Sequence, residues 1–283
     1  MSRVRDRRPQ REARGGDAGK GVPILMYRQV ARRRDPRFRQ YTVTPRSFAS
    51  QIRSLAAVGY RTISLDDLIA SRDDGRTLPP KPIVITFDDG FLEAVTWAVP
   101  ILQARGFTAT FFLVAGLMGE MSRWTLARRG VEFQLIDWDI ARRLRDAGFG
   151  CGSHTMSHRP LGQLAQADCR SELVQSKCLI ENQLDIEVRH LAYPFGSFSE
   201  EVAQLAAEAG YASACTTKRG LSRPGEAAHT LRRVWVPYRP AETLPEFLIG
   251  VRAGVPPQRW LRDRSRGSLR RLRTFVRGAH VSR

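Results

Sequence analysis

Short, continuously apolar runs, each followed by a helical stretch that stops at a glycine, constrain this chain more than anything else in it. VPILMY (22–27), PIVITF (82–87), TATFFLV (108–114), FGCGSH (149–154), RHLAYPF (189–195), YASACTT (211–217) and LRRVWV (231–236) read as strands, with RTISL (61–65) as a further one. Strands that are apolar throughout, and not at alternate positions, indicate a parallel sheet covered on both faces. Between them, helices are expected over 45–60, 92–105, 138–147, 166–184 and 200–209, and from Asp66 at the head of DDLIAS. Gly59, Gly106, Gly148 and Gly210 stand where a helix needs a left-handed residue before the chain turns back into a strand. Seven or eight β–α repeats over some 230 residues fit one α/β domain, built as a barrel or as an open doubly wound sheet. The stretch 116–136 reads as a polar excursion from this alternation.

Both architectures put chemistry at the carboxyl ends of the strands, and three strand ends here are unusual. Asp88-Asp89-Gly90 directly follows PIVITF, and two adjacent carboxylates at the mouth of a buried strand repel unless a cation or a shared proton relieves them. The same tripeptide at Asp73-Asp74-Gly75 lies in a polar loop and reads as turn chemistry. At the second strand end, His154-Thr155-Met156-Ser157-His158 spaces two histidines four apart, the spacing that faces them together on one helical turn. With a strand-end aspartate they make a His₂/carboxylate set that leaves coordination positions open for water, the pattern of a catalytic metal site. The third is Tyr193-Pro194-Phe195-Gly196, which reads either as a plain tight turn or as aromatic walls and a backbone N–H offered to a sugar.

Composition narrows the classes. The net charge is +18, but residues 1–21 carry +4 and residues 258–283 carry +8, so the middle of the chain holds +6. Charge concentrated in tails argues against a nucleic-acid-binding domain. The first sixteen residues have no apolar core and the longest apolar stretch, Thr108 to Gly119, falls short of a membrane span, so the expectation is a cytoplasmic protein. Four cysteines without C-x-x-C spacing suit a reducing compartment. Trp260, Leu261, Leu269, Leu272 and Val276 fall at roughly helical spacing among nine arginines, a pattern for peripheral contact with an anionic membrane face or for a solvated tail. The expected organisation is a basic leader 1–21, one domain over 22–257 and a basic tail 258–283.

In this order, TFDDG, H-T-x-x-H and AYPFG, flanked by VPILMY, TATFF and CTT-x-x-G-L with LRR, the chain resembles the polysaccharide deacetylases of carbohydrate esterase family 4, the NodB-homology domain. It is most similar to the branch acting on N-acetylglucosamine exopolysaccharides, over roughly residues 22–237. The resemblance implies a distorted (β/α) barrel of about seven parallel strands and a hydrolase that removes N-acetyl groups from an N-acetylated carbohydrate. It implies one divalent ion, zinc foremost with cobalt or nickel also suited to the donors, on Asp89, His154 and His158. Asp88 would be the general base, the N–H near Phe195 an oxyanion donor, and Tyr193, Pro194, Phe195 and Gly196 the sugar-site lining. Two positions depart from the pattern. Arg28 stands where the branch carries a histidine thought to act as general acid, and arginine cannot release a proton near pH 7. Arg28 is then free to bind an anionic substrate or the oxyanion while another group protonates the amine, with His190 and His229 the other candidates in the matched region, or it marks a catalytically silent relative. Ala192 stands where members outside the branch carry an arginine that steadies the catalytic aspartate.

Overall fold

Seven of the apolar runs form strands packed between a filled interior and a ring of helices. The computed structural model describes residues 21–236 and 244–255. The chain begins with β1 (Ile24–Tyr27), the short β2 (Gln29–Val30) and β3 (Thr42–Val43), α1 (Pro45–Ala57), β4 (Arg61–Thr62) and α2 (Leu65–Asp73). Next come β5 (Pro82–Phe87), α3 (Leu92–Gln103), β6 (Thr110–Leu113), α4 (Arg123–Arg129), α5 (Trp138–Asp146) and β7 (Gly150–Ser153). The last part holds α6 (Gln166–Leu184), β8 (His190–Ala192), α7 (Glu200–Glu208), β9 (Ser213–Arg219), β10 (Leu231–Trp235) and α8 (Leu244–Ala253).

Seven strands close into a parallel barrel in the order β1-β10-β9-β8-β7-β6-β5, and β5 returns to β1 with Ile24 opposite Val84 and Tyr27 opposite Phe87. The barrel, not the open sheet, is therefore the architecture. β4 adds to β5 at Arg61 and Thr62, and β2 pairs with β3 separately. Ile63, expected in a strand, hydrogen-bonds Ile83, but Ser64 already caps α2, so the strand stops three residues early. The head of α2 is Ser64 in a capping box with Asp67, not Asp66. Left-handed Gly59, Gly106, Gly148 and Gly210 end α1, α3, α5 and α7 as expected. Asp185 does so for α6, and the excursion 116–136 contains α4.

Strand side chains alternate between faces, and here the alternation separates two cores. Ile24, Val84, Phe112, Ala192, Cys215 and Leu231 cluster inside the barrel with Leu65, Leu68 and Ile69 of α2, which plugs its amino-terminal end. Leu25, Ile83, Ile85, Phe111, Leu191 and Ala214 face outward against the helices. The interior is tight enough that Gly152, opposite Phe112, must lack a side chain: a Cβ there would lie 2.7 Å from the Phe112 ring. Two residues further along, the inward positions become Thr86 and Asp88, Met26 and Arg28, Arg233, and His154. Apolar filling gives way to polar groups at the carboxyl end, and the site is made there.

Candidate active site

Asp88 and Asp89 leave the end of β5, where the Asp88 N–H still bonds Tyr27 O in the barrel ladder. Asp89 has φ 77 and Gly90 φ 71, a left-handed pair that turns the second carboxylate away from the first. An aspartate tolerates this better than most residues, at a cost of about 1–2 kcal/mol. Both carboxylates are buried, at 1% and 0% exposure, so each needs compensation.

Arg233 compensates Asp88. Its Nη1 and Nη2 donate to Oδ1 and Oδ2 at 2.7 and 2.8 Å, its Nη1 also reaches Thr86 Oγ1 at 3.1 Å, and its Nε donates to Thr216 O at 2.8 Å. Burial pushes the Asp88 carboxyl up, but the guanidinium outweighs it and holds the group below the usual carboxylate range. Sequence reasoning noted the absence of an arginine at Ala192 and missed that β10 supplies one. No local signal marks it, since Arg232 and Arg233 are adjacent in β10 and only the closed barrel shows which of them meets Asp88.

Around Asp89, His154 Nε2 lies 3.3 Å and His158 Nε2 3.0 Å from Oδ1. The ligand atoms of the three residues fall within 4.8 Å of one another, all buried. The histidines do not share a helical turn, as their spacing suggested. Thr155 and His158 take φ 69 and 61, and this tight reversal, strained for a β-branched threonine, brings the rings together. A buried glutamate of α6 holds it: Glu172 Oε2 accepts from the Met156 and Ser157 N–H groups, each at 2.9 Å, and Oε1 accepts from the Ser157 hydroxyl. Trp124 of α4 stacks on the His158 ring at 4.2 Å, and Phe195 packs its edge at 4.6 Å.

This trio fits a divalent metal. His154 Nδ1 lies 2.7 Å from Ala192 O, which can only accept, so Nδ1 carries a proton and Nε2 is the nitrogen turned to Asp89. That Nε2 is buried without a hydrogen-bond partner. Burial lowers the His158 imidazole to about 4 against the opposing pull of Asp89, so that ring is neutral at physiological pH. Imidazole nitrogens aimed at a carboxylate oxygen, one of them oriented by a backbone carbonyl, are the donor chemistry of a metal site.

Arg28 lies in the same place. Its Nη1 donates to Asp89 Oδ1 at 3.1 Å and to Oδ2 at 2.8 Å, and its Nη2 is 3.9 Å from Asp88 Oδ2. Of the residues expected to line a sugar site, Phe195 (φ 58) is half-buried beside His158, with the Arg128 Cζ over its ring, 3.9 Å from the centroid. Pro194 is buried and Gly196 packs on Thr217. Tyr193 is turned into the core, where its hydroxyl donates to His229 O at 3.0 Å. Trp124 stands at the mouth instead and was hidden from sequence reasoning inside the excursion. His190 opens β8 and His229 precedes β10, both at the amino ends of strands and so at the opposite end of the barrel, bonded to Ser213 and to Tyr211 O.

A family profile described as polysaccharide deacetylase matches residues 75–214, which span Asp88, Asp89, His154 and His158. Over that span the chain is a polysaccharide deacetylase domain. Deacetylases of this family are metal-dependent hydrolases of carbohydrates, and Asp89, His154 and His158 are the residues here that can hold an ion. The chain is 27% identical to the putative polysaccharide deacetylase YxkH of Bacillus subtilis over 215 residues, 76% of this chain and 71% of that protein. It is 22% identical over 214 residues to the poly-β-1,6-N-acetyl-D-glucosamine N-deacetylase of Staphylococcus epidermidis, covering 73% and 72% of the two chains. The fold is that of IcaB from Ammonifex degensii, with a TM-score of 0.71 at 24% identity over 83% of this chain and 98% of the other. Arg28 and Arg233 both lie outside the span matched by the family profile.

Proposed function

We propose that this deacetylase removes N-acetyl groups from an N-acetylated sugar of the N-acetylglucosamine type, with one divalent ion, zinc or its cobalt or nickel equivalent, on Asp89, His154 and His158. The observation that carries the reading is the buried convergence of these three residues on one point beside a second ionised carboxylate, Asp88. An ion bound there would polarise the acetamide carbonyl and acidify water. Asp88 is the base. Arg233 keeps it ionised and fixes its plane, so it is ready to accept a proton from the attacking water. The departing amine needs that proton back. Arg28 cannot supply one, and His190 and His229 are bonded at the far end of the barrel. Asp88, protonated in the first step, is the group left to return it. Trp124 and Phe195 pin His158 and give a sugar ring an apolar wall.

The test is acetate release from chitooligosaccharides and from β-1,6-linked N-acetylglucosamine oligomers with added zinc or cobalt. Wild type should release acetate, and Asp88→Asn should lose about 10²–10⁴ of the rate. A second reading, a silent relative that binds metal and sugar without turnover, is favoured by the ion pair of Arg28 with Asp89. It predicts metal bound to wild type and no acetate released. The same proposal has the protein working in the cytoplasm, with 258–283, outside the described residues, resting on an anionic membrane face. Liposomes of anionic lipid that fail to retain the full chain, while retaining a basic-helix control, overturn that part.

A further inference from the structure

The Asp89 oxygen that faces both histidine nitrogens also accepts a hydrogen bond from Arg28. Oδ1 has His158 Nε2 at 3.0 Å, His154 Nε2 at 3.3 Å and Arg28 Nη1 at 3.1 Å, and Oδ2 takes the same Nη1 at 2.8 Å. Any ion held by the histidines and Asp89 must therefore share its carboxylate with a guanidinium at contact distance.

The charges make the conflict sharper. Asp88 and Asp89 are already balanced one for one by Arg233 and Arg28 at contact distance. A divalent ion would leave +2 uncompensated among groups that are at most 11% exposed. A residue without charge at position 28 would leave +1. Like charges in a dry site repel strongly, because little solvent screens them. The guanidinium has a way out: its side chain is the part-exposed member of the cluster, with the Tyr41 ring 5.5 Å from its Cζ.

We infer that Arg28 is a built-in competitor for the metal. It neutralises Asp89 when no ion is bound, and an ion is held by the trio when Arg28 swings off that carboxylate. The inference rests on the metal-binding reading of Asp89, His154 and His158. It predicts that this chain binds divalent metal far more weakly than the same chain without the charge at position 28.

The experiment is calorimetric titration of full-length wild type, Arg28→Gln, Arg28→His and Asp89→Asn with zinc and with cobalt. The visible absorption of bound cobalt reports coordination independently of activity. Relief of the buried like-charge contact should tighten Kd by about 10²–10³-fold in Arg28→Gln, with cobalt absorption rising at correspondingly lower concentration. Zinc should raise the melting temperature of Arg28→Gln at concentrations that leave wild type unmoved. Because Arg28→Gln leaves Asp89 without a cation, its folding is checked by the same melt. Arg28→His, which can take up a proton when no metal is present, serves as the second variant. Wild type with a Kd within threefold of both variants, all abolished by Asp89→Asn, overturns the competition and leaves the metal reading standing. If folded Arg28→Gln and Arg28→His bind neither ion, the metal reading falls and the competition with it.

Discussion

Two arginines, Arg28 and Arg233, each meet one of two adjacent carboxylates, and their geometry separates their roles. Arg233 is fully buried and makes four bonds, two of them a parallel fork onto Asp88. Such a fork is geometrically specific, and a lysine cannot reproduce it. Arg233→Ala strands a buried carboxylate and should cost about 3–5 kcal/mol in urea denaturation. Arg233→Lys should cost less and still depress acetate release, since the charge returns without the plane. Reactivity at this scale also follows burial. Burial raises the Cys215 thiol to about 12, so only about one molecule in ten thousand is thiolate at pH 8, and its share grows tenfold with each pH unit. Iodoacetamide followed by peptide mass mapping should mark exposed Cys178 first at pH 8, and Cys215 at the rate of global unfolding.

Between residue and barrel stand the pieces of chain that aim side chains. The reversal 154–158 carries two left-handed residues, a conformation that persists where the surroundings over-determine it. Glu172 does so from α6 by accepting two backbone N–H groups and a hydroxyl. Glu172→Ala orphans those donors, at about 1–3 kcal/mol for each buried group. The rate of acetate release should fall further than that loss of stability explains, and Glu172→Gln, whose amide oxygen can still accept, should restore most of it. A parallel case is β7, whose Gly152 makes room for Phe112. Gly152→Ala should cost about 1–3 kcal/mol by overpacking, read as a lower denaturation midpoint.

On the scale of the molecule, closure of the barrel through β1 and β5 is what brings Arg28, from the first strand, beside Asp88 and Asp89 some sixty residues later. The same closure through β10 delivers Arg233 to Asp88 across 145 residues of chain. Charge is distributed differently from structure, with +12 of the net +18 in 1–21 and 258–283. A chain of 22–257 should keep acetate release and lose retention on anionic liposomes. Loss of release in that shortened chain, with its melting temperature unchanged, would assign the tails to catalysis.

The alternation of apolar runs and glycine-stopped helices is a local property, so the α/β class and most element positions could be read before any contact was known. α6 and β5 fall where the periodicity put them, because burial of whole faces leaves a long-range pattern in composition. Asp88, Asp89, His154 and His158 were also legible, since a strand end is a place in the chain as well as in space. The choice of barrel over open sheet was not, because it depends on pairing between β1 and β5, which no local pattern encodes. The fork of Arg233, the stack of Trp124 on His158 and the glutamate under the histidine loop escaped for the same reason. Each joins residues far apart in the chain, and they meet only once the backbone has closed.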